Sequence, residues 1–153
     1  MSTIFAKLNL KSATEIVVVN APASFEPELA LLDAGVKVHR KLSQAKSIGF
    51  ALAFATQQAE LDAMSAALAA KATGDALLWF AYPKQSSKRY TCEFHRDSGW
   101  DVLAQAGFEK VRMVAIDEDW SGLRFRRAEY IPSLTRQPAS AATALGKKRT
   151  AAQ

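Results

Sequence analysis

The sequence predicts an α/β fold, in which a mostly parallel β-sheet carries helices on both faces and ends in an antiparallel hairpin. Apolar runs typical of strands alternate along the chain with segments of helical periodicity. Several of these runs are apolar throughout, as in parallel strands that are buried on both faces. Only a short turn separates the last two strand segments, which indicates the hairpin.

The first half of the chain predicts three strands and a short helix. EIVVV at 15–19 is a strand that ends before Asn20 and Pro22. A helix over 26–33 has a proline in its first turn and Gly35 just past its end. The second and third strands are VKVHRKL at 36–42 and SIGFALAFA at 47–55.

The second half predicts a long helix, a fourth strand, a short helix and the hairpin. The long helix has Thr56 as N-cap and ends at Gly74, and DALLWFAYP at 75–83 follows it as a strand. Asp97 or Ser98 caps the next helix, which ends at Gly107. The hairpin strands are VRMVAID at 111–117 and SGLRFRR at 121–127, joined by a turn over 117–120.

The expected core consists of apolar residues on the inner positions of these elements. These are Val17, Val19, Phe50, Leu52, Phe54, Leu61, Leu68, Leu78, Phe80, Trp100, Leu103 and Val114.

Charge and composition divide the chain into two parts. Residues 132–153 are rich in Ala, Ser, Thr and Pro and contain 4 of the 20 Lys and Arg residues but none of the 15 acidic ones, so residues 1–131 are nearly neutral. We therefore predict a single domain over 1–131 and a disordered basic tail over 132–153. The basic residues of GKKR could give weak, salt-dependent contact with nucleic acid, although a solubilising end is the simpler explanation and the one we favour.

The remaining bulk features favour a cytoplasmic protein. Cys92 is the single cysteine, so no internal disulfide can form. The first residues lack the pattern of a secretory signal. The longest apolar run, at 48–55, is far shorter than the ~20 residues that cross a bilayer, so no membrane partner is expected.

Three motifs carry a resemblance to known proteins: LLWFAYPK at 77–84, HRD at 95–97 followed by Trp100, and VAIDEDWSGLRF at 114–125. They resemble a small bacterial family of unknown function, over roughly residues 15–127. The order of strands and helices, ending in a hairpin, is similar to the C-terminal half of a class I SAM-dependent methyltransferase. That resemblance implies a Rossmann-like fold, and the family implies no established activity.

Two sequence features that hold the nucleoside of SAM in such a methyltransferase are missing, a glycine-rich loop and an acidic residue. The first strand runs into NAPASF, where a glycine-rich loop is expected. The second strand ends in His39, Arg40 and Lys41, where an acidic residue would hold the ribose hydroxyls. We therefore expect no cofactor and no tight binding of SAM.

A candidate anion-binding pocket follows the fourth strand. Ligands of open α/β sheets collect at the carboxyl ends of the strands, where Lys84 would be a point cation and Arg96 a bidentate partner. Trp100 and Trp120 would be apolar walls, and Asp117 would orient Arg124. The predicted site residues are Tyr82, Lys84, Ser86, Arg96, Trp100, Asp117, Trp120 and Arg124. A solvated turn accounts for the same loop composition.

Other candidate groups have simpler structural explanations. Asp117 and Asp119 could act as an acid/base pair, but aspartates also favour turns. Arg124 could pair with Asp117 or Asp97. Cys92 and His95 have the spacing of half a zinc site, but the other histidine lies in a different strand, so no metal is expected.

The sequence therefore favours a non-catalytic binding or regulatory module. It contains no GxSxG, P-loop or HExxH motif and no other recognisable catalytic constellation. The alternative is an enzyme or sensor that binds a small phosphorylated or carboxylated ligand at the carboxyl edge of the sheet.

Overall fold

A computed structural model describes residues 3–10 and 13–131, so the predicted tail lies outside the described residues. Within them, six strands form one sheet. The strands are β1 (Glu15–Val19), β2 (Lys37–His39), β3 (Ile48–Phe54), β4 (Ala72–Pro83), β5 (Phe108–Ala115) and β6 (Trp120–Arg127). The helices are α1 (Thr3–Lys7), α2 (Glu26–Ala30), α3 (Gln58–Lys71) and α4 (Asp101–Gln105).

The strand order is β2-β1-β3-β4-β6-β5. The first four strands in this order are mutually parallel, whereas β6 runs antiparallel to β4 and to β5. The sequence therefore predicts the fold class correctly: a mostly parallel sheet with a C-terminal antiparallel pair. Strand order reverses between β1 and β3, which makes their carboxyl ends the switch point of the sheet.

Alternation along the strands creates two apolar clusters, one on each face of the sheet. Ala51 and Ala53 of β3 belong to the cluster beneath α3 and α4. Phe50, Leu52 and Phe54 of the same strand belong to the other cluster, which also contains Phe5 of α1. Small side chains beneath α3 leave room for the helix to approach, while phenylalanines fill the wider space on the opposite face.

The core prediction is correct for all residues except Val114, which is only half-buried. Val114 lies on the strand at the edge of the sheet, where a side chain has a neighbouring strand on one side only. Trp79 is fully buried and its Nε1 donates to the carbonyl of Leu8, 2.8 Å away, which ties the segment after α1 to the centre of the sheet.

Several element boundaries differ from the sequence prediction. Gln57 rather than Thr56 is the N-cap of α3, and β4 already begins at Ala72 and includes Gly74. The short helix α4 begins at Asp101, not near Asp97, because a turn closed by Ser98 N donating to His95 O precedes it. Helix α1 was not predicted from the sequence.

Candidate functional site

The switch point between β1 and β3 is occupied by contacts within the chain. Asn20 follows β1 with a φ of 60°, and its Nδ2 donates to Glu60 Oε2 at 3.3 Å and to Phe54 O at 3.5 Å. The second oxygen of Glu60 accepts a hydrogen bond from Thr56 N at 3.0 Å. Both carboxylate oxygens of Glu60 are therefore engaged where a ligand of an open α/β sheet would enter.

His39 and Arg40, two of the three basic residues at the end of β2, are paired with carboxylates. His39 is buried and contacts Glu15, and this hydrogen bond, together with the charge of His39, lowers the pKa of the Glu15 carboxyl despite some opposing desolvation. Arg40 binds Glu26 through two nitrogens, with Nη1–Oε1 and Nη2–Oε2 distances of 3.2 and 2.5 Å. Glu26 is thus an acidic residue near the end of β2, but its carboxylate is bound by Arg40 and is not free to hold ribose hydroxyls.

Two backbone anchors shape the loop that follows β4. Lys84 N donates to Asp119 O at 2.8 Å, and Ser87 Oγ donates to Asp119 Oδ1 at 2.9 Å, so the loop is fixed to the turn between β5 and β6. Glu93 N donates to Thr56 O, while Glu93 Oε1 accepts from Gln58 N at 2.8 Å. This carboxylate therefore satisfies a free amide at the start of α3.

Gly99 closes the loop in a conformation that favours glycine. Its φ is +99°, and an added Cβ would lie 2.6 Å from Phe94 Cβ and 2.7 Å from Gln58 Oε1. The carbonyl of Gly99 accepts from Gln58 Nε2 at 2.8 Å. The close approach of Gly99 to Phe94 and Gln58 thus packs the end of the loop against α3.

These anchors leave a cavity of about 720 Å³ beside the carboxyl end of β4. Four of the predicted site residues line it: Tyr82, Lys84, Ser86 and Arg96. Residues that the prediction omitted also line it, namely Pro83, Gln85, Ser87, Tyr90, Thr91, Cys92, Glu93, Phe94, His95, Asp97, Met113 and Ser121. Alternation along β6 could have found Ser121, because it sets which face each residue of that strand occupies, whereas the face of Met113 also depends on the register of β5 against β6.

Of the two cationic residues that line the cavity, Arg96 is paired with a carboxylate and Lys84 is not, within the described part of the chain. Arg96 Nε lies 3.5 Å from Asp97 Oδ1, and Lys110 Nζ lies 3.3 Å from the same oxygen. Lys110 and then Arg96 hold the pKa of the Asp97 carboxyl below its ordinary value. Among the described residues Lys84 has no carboxylate within ion-pair distance. Burial raises the pKa of the Tyr82 hydroxyl, and the nearby charge of Arg96 partly offsets this effect.

The other four predicted site residues do not line this cavity. Trp100 packs beneath α3 and α4, whereas Trp120 lies on the opposite face of the sheet, so the two indoles cannot be walls of one pocket. Asp117 Oδ1 accepts hydrogen bonds from the amides of Asp119 and Trp120 at 2.8 Å. These bonds stabilise the turn between β5 and β6, as aspartate side chains commonly do.

The predicted ion pair of Arg124 with Asp117 or Asp97 does not form among the described residues. Arg124 pairs in register with Trp79 and Arg112 along the strands, away from the turn that holds Asp117.

The potential acid–base groups of the cavity serve structural roles. His95 Nδ1 accepts a hydrogen bond from Asp97 N at 3.2 Å, and Glu93 caps α3. Burial raises the pKa of the Cys92 thiol, which disfavours the nucleophilic thiolate. Residues 3–10 and 13–131 contain no group of three or more His, Cys, Asp or Glu side chains that could hold a metal. In the same ranges, no helix has the length and hydrophobicity needed to span a membrane.

Comparisons with known proteins identify similar folds but no similar sequence. No family model matches the chain, and no curated protein matches it significantly, so the resemblance to a small bacterial family stays a hypothesis. Magnesium protoporphyrin IX methyltransferase (ChlM) from Synechocystis PCC 6803 with bound SAH is 13% identical, with a TM-score of 0.52 over 82% of this chain and 78% of that one.

Two further solved structures are similar in fold. The N-methyltransferase NodS from Bradyrhizobium japonicum WM9 has a TM-score of 0.52 at 12% identity, over 82% of this chain and 93% of NodS. The pyocyanin biosynthetic protein PhzM has a TM-score of 0.51 at 13% identity, and the match spans 82% of this chain but only 54% of PhzM. At such identities the likeness concerns the fold alone: the chain has a Rossmann-like, methyltransferase-like α/β fold.

Proposed function

We propose that this protein is a non-catalytic binding module on a methyltransferase-like scaffold, and that it binds a small anionic ligand in the loop cavity beside β4. The observation that carries the proposal is the position of Lys84. This lysine is half-buried at the carboxyl end of a central strand, lines a cavity of about 720 Å³ and lacks a carboxylate partner among the described residues.

The cavity has a size and lining typical of small-ligand sites. Pockets for small molecules commonly enclose ~300–1,000 Å³ and combine apolar walls with a few polar groups. Tyr82, Tyr90 and Phe94 supply aromatic surface, and Ser86 and Thr91 supply hydroxyl groups. Lys84 and Arg96 would bind the anionic group of the ligand, a phosphate or a carboxylate.

The absence of a free acid–base pair favours binding over catalysis. Proton transfer needs a base near its substrate with a suitable pKa, and a nucleophile needs such a base beside it. In this cavity the carboxylates of Glu93 and Asp97 accept hydrogen bonds from the chain, and burial raises the pKa of the Cys92 thiol.

A thermal-shift screen tests the proposal. Inorganic phosphate, pyrophosphate, citrate and AMP would be added to the wild-type protein, to Lys84→Ala and to Lys88→Ala. Lys88 is an exposed lysine of the same loop that does not line the cavity, so it is the matched control. A ligand at 100 times its Kd stabilises a protein by about 2.7 kcal/mol, which is several degrees in Tm for a domain of this size.

We expect at least one anion to raise the Tm of the wild type and of Lys88→Ala, and to raise that of Lys84→Ala by a clearly smaller amount. The binding-module proposal fails if none of the anions stabilises the wild type, or if both lysine variants lose the effect equally.

Methyl transfer is the second candidate function, since the fold is methyltransferase-like. The contacts of Asn20 and Glu60 at the switch point, and the missing glycine-rich loop, argue against it. Calorimetric titration with SAM separates the two candidates. Our proposal predicts no heat of binding at micromolar concentration, and micromolar affinity that persists in Lys84→Ala would favour the methyltransferase.

A further inference from the structure

An arginine pair lies on the sheet face opposite the loop cavity. Arg112 of β5 and Arg124 of β6 are direct register partners in an antiparallel pair, so their side chains project from the same face. Met113, the neighbour of Arg112, lines the loop cavity, and successive side chains of a strand point to opposite faces. The arginine pair is therefore separate from the proposed binding cavity.

A β-bulge produces this arrangement. The register of β5 against β6 shifts between Lys110 and Arg112, leaving Val111 as an extra residue. Without the extra residue Arg112 would stand opposite Leu123 and would point toward the apolar cluster beneath α3 and α4. The bulge thus places two like charges opposite each other, an arrangement that is unfavourable in a sheet unless an anion lies between them.

The guanidinium of Arg124 lacks the partners that such a buried group normally has. Its Nε is buried and has no hydrogen-bond acceptor. Burial, followed by the charge of Arg126, lowers the pKa of Arg124, while Asp75 acts in the opposite direction and Arg112 lowers it further. Leaving a buried donor unsatisfied is costly, so an acceptor supplied from outside the sheet would be stabilising.

The carboxylates on this face do not supply that acceptor. Asp75 is held by Arg126 through two hydrogen bonds of 2.8 Å, from Nε to Oδ1 and from Nη2 to Oδ2. Glu109 is buried and lies opposite Arg126 in the register, one pair beyond Phe125 and Lys110. Arg112 is exposed and forms no ion pair with a described residue.

We propose that Arg112 and Arg124 form a second anion site, which binds the phosphoryl group of a small ligand on the open face of the hairpin. A guanidinium binds phosphate oxygens through two parallel hydrogen bonds. A dianionic phosphoryl group would neutralise both arginines and supply acceptors to the guanidinium of Arg124. A single carboxylate would leave one of the two positive charges uncompensated.

The test uses a Lys84→Gln background, so that phosphate bound in the loop cavity does not contribute. In this background we compare Arg112→Gln with Lys46→Gln, which removes one charge from an exposed lysine without an ion pair among the described residues. Arg112 is exposed, so its substitution is not expected to prevent folding. The Tm is measured in phosphate and in chloride at equal ionic strength.

We expect phosphate to raise the Tm of the background and of Lys46→Gln by several degrees, and to raise that of Arg112→Gln only by the small general stabilisation that phosphate gives to folded proteins. In chloride at low ionic strength Arg112→Gln should melt at a higher temperature than its parent, because the repulsion with Arg124 is gone. The ¹⁵Nε–H resonance of Arg124 should move on titration with phosphate.

The proposal is overturned if phosphate stabilises Arg112→Gln as much as its parent, or if the Arg124 Nε resonance does not respond. A response that depends on Arg112 but appears only with single-stranded DNA, and not with inorganic phosphate, would overturn the assignment to a small ligand. Because every arm lacks Lys84, the outcome is independent of the loop cavity.

Discussion

The switch point and the loop cavity lie at the same carboxyl edge of the sheet, but their polar groups are satisfied in opposite ways. At the switch point Glu60 accepts from Asn20 and Thr56, so the chain uses its own carboxylate to close the crevice. In the loop cavity Lys84 has no such partner among the described residues, and a volume of about 720 Å³ remains beside it.

This difference between the switch point and the loop cavity shows that the fold alone does not determine where a ligand can bind. A methyltransferase-like scaffold places the strand ends where a ligand can bind, but the hydrogen bonds of individual side chains decide which strand end stays open. A ligand entering the switch point would have to replace hydrogen bonds worth about 1 kcal/mol each. A ligand entering the cavity would break no ion pair of Lys84 with a described residue.

The largest expected effect is from Gly99→Ala, which would disrupt the loop cavity. The new Cβ would meet Phe94 Cβ and Gln58 Oε1 at 2.6 and 2.7 Å, at a φ of +99°. Strain and overpacking together should lower the free energy of unfolding by about 3 kcal/mol, measured by urea denaturation. The part of the anion stabilisation that depends on Lys84 should be lost as well.

Gly35→Ala is the matched control, because a Cβ at Gly35 would have no atom within 4 Å. Its free energy of unfolding should change by less than about 0.5 kcal/mol. Equal losses in the two variants would show that the packing of Gly99 does not hold the loop.

The next effect is from Glu60→Ala at the switch point. This change removes the acceptor of Thr56 N and of Asn20 Nδ2, so we expect a loss of about 1–2 kcal/mol in urea denaturation. Anion binding should be unchanged, since Glu60 does not line the cavity. Asp33→Ala removes an exposed carboxylate and should be nearly neutral; a loss as large as that of Glu60→Ala would contradict the closed-crevice interpretation.

A smaller effect is expected where the two regions meet at the start of α3. Glu93 belongs to the cavity loop and caps the amide of Gln58. Glu93→Gln keeps an acceptor but removes the charge near the helix N-terminus, for a loss of about 0.5 kcal/mol, whereas Glu93→Ala removes both, for about 1 kcal/mol. Equal stability of the two variants would mean that the hydrogen bond adds nothing beyond the charge.

The smallest effect concerns the pH dependence of Asp97 in the cavity wall. Lys110 and Arg96 lower its pKa from an ordinary value of 3.8, so its contribution to stability is fully present above about pH 4 and is lost as the pH falls through the folded-state pKa. Lys110→Met should raise the pKa of Asp97, measured by NMR titration of its carboxyl carbon. An unchanged pKa would show that Lys110 does not bind Asp97 in solution.

Apolar patterning made most of the fold predictable. The runs EIVVV and LLWFAYP identify central strands because burial on both faces requires continuous apolar sequence. The start of α4 was predicted too early because Asp97 is a good N-cap by type, yet a turn at His95 and the positive φ of Gly99 delay the helix to Asp101. Tertiary packing around Phe94 decides this boundary, and it leaves no local signal.

The candidate site was only half predictable for a similar reason. Sequence proximity placed Tyr82, Lys84, Ser86 and Arg96 together, because they flank one loop. Trp100 and Trp120 were assigned to the same pocket although they lie on opposite faces of the sheet. The face that Met113 of β5 occupies depends on the bulge at Val111, which the alternation of side chains alone does not reveal.

Trp120 contacts aromatic rings from both the cavity loop and the end of β3, so its indole is an intrinsic fluorescence probe of this edge of the sheet. Its ring lies 4.9 Å from that of Tyr90 in the cavity loop and 5.2 Å from that of Phe54 at the end of β3. The chain has only 3 tryptophans, so subtracting the emission of a Trp120→Phe variant isolates the signal of this indole. Movements of the loop, on a timescale of nanoseconds to milliseconds, can then be followed by fluorescence without attaching a dye.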